Sequence, residues 1–194
     1  MVLSYSESPP LASRANEALI LDTVMRARAG DETSFYSLYH WYYMDIYRHL
    51  VRMVGNPEDA SDLTQETFCK AWRGLAGVND GRRFRGWLYR IATNAALDHL
   101  RRKKINLLVW GNPGEDAPNK HTAHFEGRVE ERELIKQALK QVAPKPRACL
   151  LLQIEGFSKS EIGMFVGLRQ KSVGTYVSIA RVQFRQAYDQ LKNT

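Results

Sequence analysis

Between Asp31 and Leu75 the apolar residues keep the period of an α-helix twice in succession, and a single stop-and-start signal separates the two runs. The first run is Phe35, Leu38, Tyr39, Tyr42, Ile46, Leu50 and Met53, with Asp31 placed to cap its start and the helix reaching about Val54. An aromatic stripe at this spacing reads as core. Gly55-Asn56-Pro57-Glu58-Asp59 then stops one helix and starts the next. Asn56 caps, Pro57 suits the first helical position, and two acids meet the positive end of the dipole. The second run, to Leu75, buries Ala60, Leu63, Thr67, Phe68, Ala71 and Leu75. Helical spacing of this kind predicts an all-α chain.

The rest of the chain obeys the same rule. Residues 1–16 carry Ser and Pro without periodicity and read as a mobile tail. A first helix is expected over Glu17–Ala29, with Leu21, Val24 and Met25 inward and Gly30 ending it. After Lys104 the pattern fails: Ile105–Gly127 holds Pro113, Pro118, three glycines and scattered polar residues, and reads as an irregular linker. Helical spacing resumes over Arg128–Val142, with Val129, Leu134, Ile135, Ala138, Leu139 and Val142 near one face. Pro144 and Pro146 break it, and Pro146 begins a short helix that Gly156 ends. Ser158 and Glu161 form a capping box for Lys159–Val166, and Gly167 stops that helix. A last helix runs from Arg169–Ser172 to Leu191, with Val173, Val177, Ala180, Phe184 and Leu191 inward. Two helices across a short Gly-containing turn, the second long and polar at its start, make a helix-turn-helix pattern.

Charge narrows the function. The 194 residues carry a net charge of +7 and a pI near 9.5, which points to a polyanionic partner. Nucleic acid comes ahead of a membrane surface, since neither a lipid-anchor motif nor a long apolar run accompanies the charge. Met1–Pro10 has no basic region followed by an apolar core, so a cytoplasmic protein is expected. Cys69 and Cys149 lie in separate helical patterns and read as small buried hydrophobes in a reducing compartment. His121 and His124 have a metal-compatible spacing, but no Cys or acidic ligand set completes a site, so no metal is expected. No nucleophile–base pair or Gly-rich phosphate loop appears either, which argues against an enzyme and calls for no cofactor.

Two charged faces stand out. Asp59, Asp62 and Glu66 share one face of the second long helix, apart from its buried side. The stretch from Arg82 to Lys104 is the converse, with Asp98 as its only acid. Phe84, Leu88, Ile91, Ala92 and Ala95 form its buried stripe, while Arg83, Trp87, Arg90, Asn94 and Arg101 fall on another arc. A basic helix face with an interleaved aromatic is the footprint of a nucleic-acid surface. Trp87 remains open between packing and a part in that surface.

Three runs, DASDLTQETFCKAW (59–72), FRGWLYRIATNAALDHLRRKK (84–104) and LLLQIEGFSKSEIGMFVGLRQKSVGTYVSIAR (150–181), together resemble the extracytoplasmic-function (ECF) group of bacterial RNA polymerase sigma factors. The first two look like region 2 of that family and the third like region 4. The resemblance implies a flexible tail at 1–16, a region 2-like helical bundle at 17–104, a flexible linker at 105–127 and a region 4-like helix-turn-helix domain at 128–194. It also implies partners: core RNA polymerase through its β′ clamp and β flap, promoter DNA, and in many members an anti-sigma protein, without membrane insertion. The clamp-docking face would be Asp59, Asp62, Gln65 and Glu66. Capture of the −10 element as a single strand would fall to Asn79, Asp80, Arg82, Arg83, Arg85, Arg90, Asn94, Arg101 and Arg102, which supply charge and polar readout. Reading of the −35 duplex would fall to Arg169, Gln170, Lys171, Ser172, Thr175, Tyr176 and Arg181. The chain departs from the family at Gly174, Tyr176, Ser178 and Ile179, where members usually carry Lys or Arg. Fewer cations mean fewer phosphate contacts, and Gly174 costs about 1 kcal/mol of helix stability relative to Ala.

The competing readings are a sigma-fold interaction module, which occupies polymerase or an anti-sigma factor without initiating, and a helix-turn-helix repressor using residues 128–194 alone. The repressor leaves the charged faces of the first half unexplained. An enzyme acting on nucleic acid lacks any acid–base or metal constellation.

Overall fold

The computed structural model describes residues 14–78, 80–110 and 128–193. They form eight α-helices: α1 (Arg14–Arg28), α2 (Glu32–Val54), α3 (Pro57–Gly74), α4 (Phe84–Trp110), α5 (Arg128–Gln141), α6 (Pro144–Ile154), α7 (Lys159–Val166) and α8 (Gln170–Lys192). Two short 3-10 turns, Leu75–Gly77 and Gly81–Arg83, lead from α3 into α4, and the described residues contain no strand.

Local chemistry sets most of the boundaries. The Asp31 side chain accepts from Thr33 N and starts α2; Gly55 ends it at φ 76°, a conformation that favours glycine. Asn56 accepts from the backbone of Glu58 and Asp59, with Pro57 in the first turn of α3. The Ser158–Glu161 capping box opens α7 and Gly167, at φ 67°, closes it. Gly163 is needed for a different reason. A Cβ there would sit 2.8 Å from the carbonyl oxygen of Leu168, so a side chain would block the turn between α7 and α8.

Helices α1–α4 pack around Val24, Leu38, Tyr42, Ile46, Leu50, Met53, Phe68, Phe84 and Leu88. The polar pair His49 and Thr93 is buried among them, Nε2 to Oγ1 3.0 Å, tying α2 to α4. Burial holds the His49 imidazole down at about 3. In the second half α8 is the spine, against which α5, α6 and α7 pack. The halves do not stand apart. Helices α2 and α4 contact α5, α6 and α7, and one apolar cluster runs from Val24 to Val177.

Several expectations need correction. Met25 is 45% exposed, because α1 turns Val24 and Ala27 to the bundle instead. Ile135 likewise faces out, leaving Ala138 and Leu139 as the buried side of α5, with Val142 buried just beyond its end. Cys69 is exposed at the rim of a groove, whereas Cys149 is buried and its thiol is pushed up to about 11. Pro144 rather than Pro146 begins α6, since proline fits any position of the first turn, where no N–H is needed. Helix α4 runs on to Trp110, six residues into the expected linker, because no breaker precedes Gly111 and Pro113. His121 and His124 lie outside the described residues.

Candidate functional site

The acidic face is built by α3. Its capped start holds Asp59 half-buried against α4, with His99 Nε2 3.2 Å and Lys103 Nζ 3.9 Å from Oδ2. Asp62 and Gln65 are exposed, and Glu66 pairs with Lys70 one turn on at 2.6 Å. Of the four residues expected on this surface, Asp59 is therefore partly engaged inside the molecule, and the other three point outward. Sequence reasoning missed what lies beside them. Gln65, Phe68, Cys69 and Trp72 of α3 join Glu32, Phe35, Tyr36 and Tyr39 of α2 around an open apolar groove of about 640 Å³. Phe35 and Trp72 meet at 4.8 Å between ring centroids, and Tyr39 and Phe68 at 4.7 Å. Trp72, a large aromatic outside the helix's apolar stripe of Ala60, Leu63, Thr67, Phe68, Ala71 and Leu75, was the signal available.

The basic surface begins at the turn before α4. Asp80 accepts from Arg82 N at 3.0 Å and pairs with Arg83 Nε at 3.4 Å, so its carboxylate organises the turn. Gly81 allows α1 to press on this turn, since a Cβ would lie 2.7 Å from Leu21 Cδ1. Asn79 lies outside the described residues. Arg82, Arg83, Arg90, Asn94, Arg101 and Arg102 are all exposed. Arg90, Asn94 and Arg101 recur at i, i+4 and i+11 along α4 and so share one arc of the helix. Arg101 is held by Asp98 at 3.1 Å, a solvent-exposed pair of little energetic weight.

Arg85 and Trp87 behave differently. Trp87 is half-buried, 6.0 Å from Phe84, and its indole lies under Gly74, where a Cβ would come within 3.2 Å. It fills the gap between the end of α3 and the start of α4. Arg85 points away from the exposed arc, toward the second half of the molecule, where its Nη2 donates to the carbonyl oxygen of Glu155 at 2.8 Å. Tyr89, one turn along the same side, is 1% exposed and donates to Glu155 Oε2 at 3.0 Å. Burial first, and the neighbouring Glu155 carboxylate next, raise the Tyr89 phenol well above its ordinary value. Sequence alone offered no signal for Glu155.

At the start of α8, Arg169, Gln170, Lys171 and Thr175 are exposed, while Ser172 and Tyr176 are half-buried and Tyr176 packs on the core. Arg181 donates to Gln153 Oε1 at 3.2 Å. Gly174 lies in a depression of about 470 Å³ bounded by Arg169, Gln170, Lys171 and, from α7, Lys159. Lys159 was not among the expected residues; the capping box places it one residue into α7, facing the start of α8.

The sigma-70 region 2 family profile matches residues 38–105, the part of the chain that carries the acidic and the cationic face. Among curated relatives, the chain is 36% identical over 147 residues to the ECF RNA polymerase sigma factor SigE of Mycolicibacterium smegmatis, covering 72% of this chain and 56% of that protein. It is 30% identical over 181 residues to the ECF RNA polymerase sigma factor SigW of Bacillus subtilis, covering 88% of this chain and 97% of that one. The chain belongs to the ECF RNA polymerase sigma factors. The fold agrees. CnrH, solved with the cytosolic domain of CnrY, superposes with a TM-score of 0.65 at 22% identity, over 88% of this chain and 97% of that one. The sigma factor RpoE of Bartonella quintana, solved with the anti-sigma factor NepR, gives 0.66 at 20% identity, over 80% and 96%. No helix among the described residues is long and apolar enough to cross a membrane.

Proposed function

We propose that this chain is a dissociable, non-catalytic subunit that binds core RNA polymerase in the cytoplasm and directs promoter-specific initiation. The observation that carries the reading is the separation of charge in the first half. Asp62, Gln65 and Glu66 project from α3, while Arg82, Arg83, Arg90, Asn94, Arg101 and Arg102 project from the turn before α4 and from α4 itself. A single helical bundle thus offers an acidic docking face and a cationic strand-binding face at once. The first dock is the polymerase clamp, and the apolar groove beside Gln65 extends that contact. The second captures the −10 element as a single strand, with phosphates on the arginines and Asn94 toward a base edge. The units responsible are residues 17–104 and 128–194, joined through 105–127.

Helix α8 would read the −35 duplex through Arg169, Gln170, Lys171 and Thr175, with Lys159 adding a phosphate contact across the turn. Arg181 and the half-buried Ser172 and Tyr176 are less available for it. The sparse cations and the gap at Gly174 favour one alternative: a sigma-fold module that occupies polymerase, or an anti-sigma factor, without initiating. The two readings part in transcription with purified core polymerase on pooled genomic fragments. Protein-dependent start sites with shared upstream motifs are expected; polymerase binding without transcripts would replace the first reading by the second. Asp62→Lys with Glu66→Lys is expected to weaken polymerase capture in a pull-down, and unchanged capture would remove the docking assignment.

A further inference from the structure

Three cations gather at the turn between α7 and α8 without an acid to balance them. Lys159, Arg169 and Lys171 line the depression of about 470 Å³ that also holds Gln170 and Gly174. All three are exposed, and none is paired with a described carboxylate. Glu161, the acid nearest Lys159 in sequence, is committed elsewhere. Its Oε2 accepts from Ser158 N at 2.9 Å and from Ser158 Oγ at 2.7 Å, inside the capping box that opens α7. Lys159 reaches across to α8, where its Nζ lies 3.9 Å from the position a Cβ on Gly174 would take. The ammonium therefore stands over bare backbone. Beyond Lys171, α8 has no cation of its own until Arg181, which donates to Gln153 Oε1 at 3.2 Å. The side chains exposed along that stretch, Thr175, Ser178 and Ile179, are neutral.

Like charges gathered around one hollow repel each other in the free protein, and an anion entering the hollow relieves them. We propose that this depression seats one phosphate of the −35 duplex, which commits its three cations to positioning and leaves Gln170 and Thr175 to read base edges, Gln170 toward an adenine. The proposal rests on the reading of α8 as the helix that enters the major groove, and it divides the residues of that helix by task. A phosphate contact fixes register but carries no sequence information. Lys159 supplies it from α7, the helix that crosses the backbone in a helix-turn-helix. Arg169 and Lys171, drawn to the same phosphate, are withheld from guanine, the base whose O6 and N7 a cation recognises. Gln170 stands at the rim with an amide whose donor and acceptor match N7 and N6 of adenine. Thr175, one turn beyond Lys171, offers a methyl group and a hydroxyl to a neighbouring pair.

The chain assembled with core polymerase is to be measured on a duplex taken from upstream of a protein-dependent start site, and on versions with each A·T pair changed in turn to G·C. Lys159→Ala should weaken binding by the same factor on every duplex. It should also lower the slope of log affinity against log salt by about 0.9, the share of one phosphate. Adding Ser160→Lys, which returns the charge outside the depression, should not recover that slope. Gln170→Ala should keep the slope, weaken binding to the parent duplex on the order of tenfold and erase discrimination at a single A·T pair. A slope unchanged by Lys159→Ala, or recovered by Ser160→Lys, would overturn the phosphate seat. Relaxed preference at one pair in Lys159→Ala would do the same, since that lysine would then be reading a base. Gln170→Ala weakening every duplex alike would remove the adenine contact. If exchanging the whole upstream duplex leaves binding unchanged, or no start site depends on the protein, the reading of α8 has failed and the seat falls with it.

Discussion

The two ends of α4 belong to one continuous helix yet serve opposite ends. One side of its first two turns is enclosed: Phe84, Leu88 and Tyr89 are each at most 1% exposed, and Arg85 is engaged by the second half of the chain. Its last described turns carry Arg101, Arg102, Lys103 and Lys104 at the surface. The difference lies in what packs on each end. Helices α2, α6 and α7 surround the beginning, while the later turns extend past them. The buried side of the start is therefore expected to govern stability, and the exposed residues at the end to contribute to binding.

The comparison breaks most visibly at Phe84. Its ring is fully buried and meets Tyr42 at 5.5 Å, so Phe84→Ala should cost about 3–5 kcal/mol in denaturant unfolding. A cost below about 1 kcal/mol would mean that this end is looser than the packing indicates.

Acid sharpens the contrast next. His49, in the enclosed region, has a folded value near 3 because burial disfavours its charged form. As pH falls below the ordinary histidine value near 6.5, the unfolded chain takes a proton that the folded one refuses. Stability should therefore decline by about 1.4 kcal/mol per pH unit from this group, until the pH passes through about 3. Urea titrations at several pH values should show that slope, and His49→Leu should remove it.

A smaller effect is expected at the helix that braces the outer part of α4. Asn56 accepts two backbone N–H groups, so Asn56→Ala should cost about 1 kcal/mol, without altering the exposed arginines. The smallest change in stability belongs to the far end. Arg101→Ala with Arg102→Ala should stay within about 0.5 kcal/mol, because both residues are exposed. The same pair should lower the slope of log affinity against log salt for single strands by about 1.4, at about 0.7 per phosphate contact. An unchanged slope would leave this end as a merely solvated face.

How much of this could be read from the chain depends on the range of the interaction. Asn56, Asp31 and the Ser158–Glu161 box were legible because a cap is satisfied within three residues. The stripes of α2 and α3 were legible because helical period and burial coincide. Met25, Ile135 and Cys69 were misjudged for one shared reason: an apolar residue near the edge of a stripe is buried only if a neighbour arrives to cover it. The acidic and basic faces could be placed from spacing. The engagement of Asp59 by His99 across 40 residues, and of Arg85 by Glu155 across 70, could not.

The sequence by itself determined the helical character of the chain, the caps at Asp31, Asn56 and Ser158 and the sign of charge on each face, since all of these follow from i, i+3, i+4 spacing and from backbone groups satisfied locally. Only the tertiary structure decided that the two halves share a core, that α2 and α3 leave an aromatic groove open, and that one arginine of the basic helix is turned inward. Those outcomes depend on which surfaces meet across long stretches of chain, and a carboxylate such as Glu155 acquires its partners only when α2, α4 and α6 converge on it.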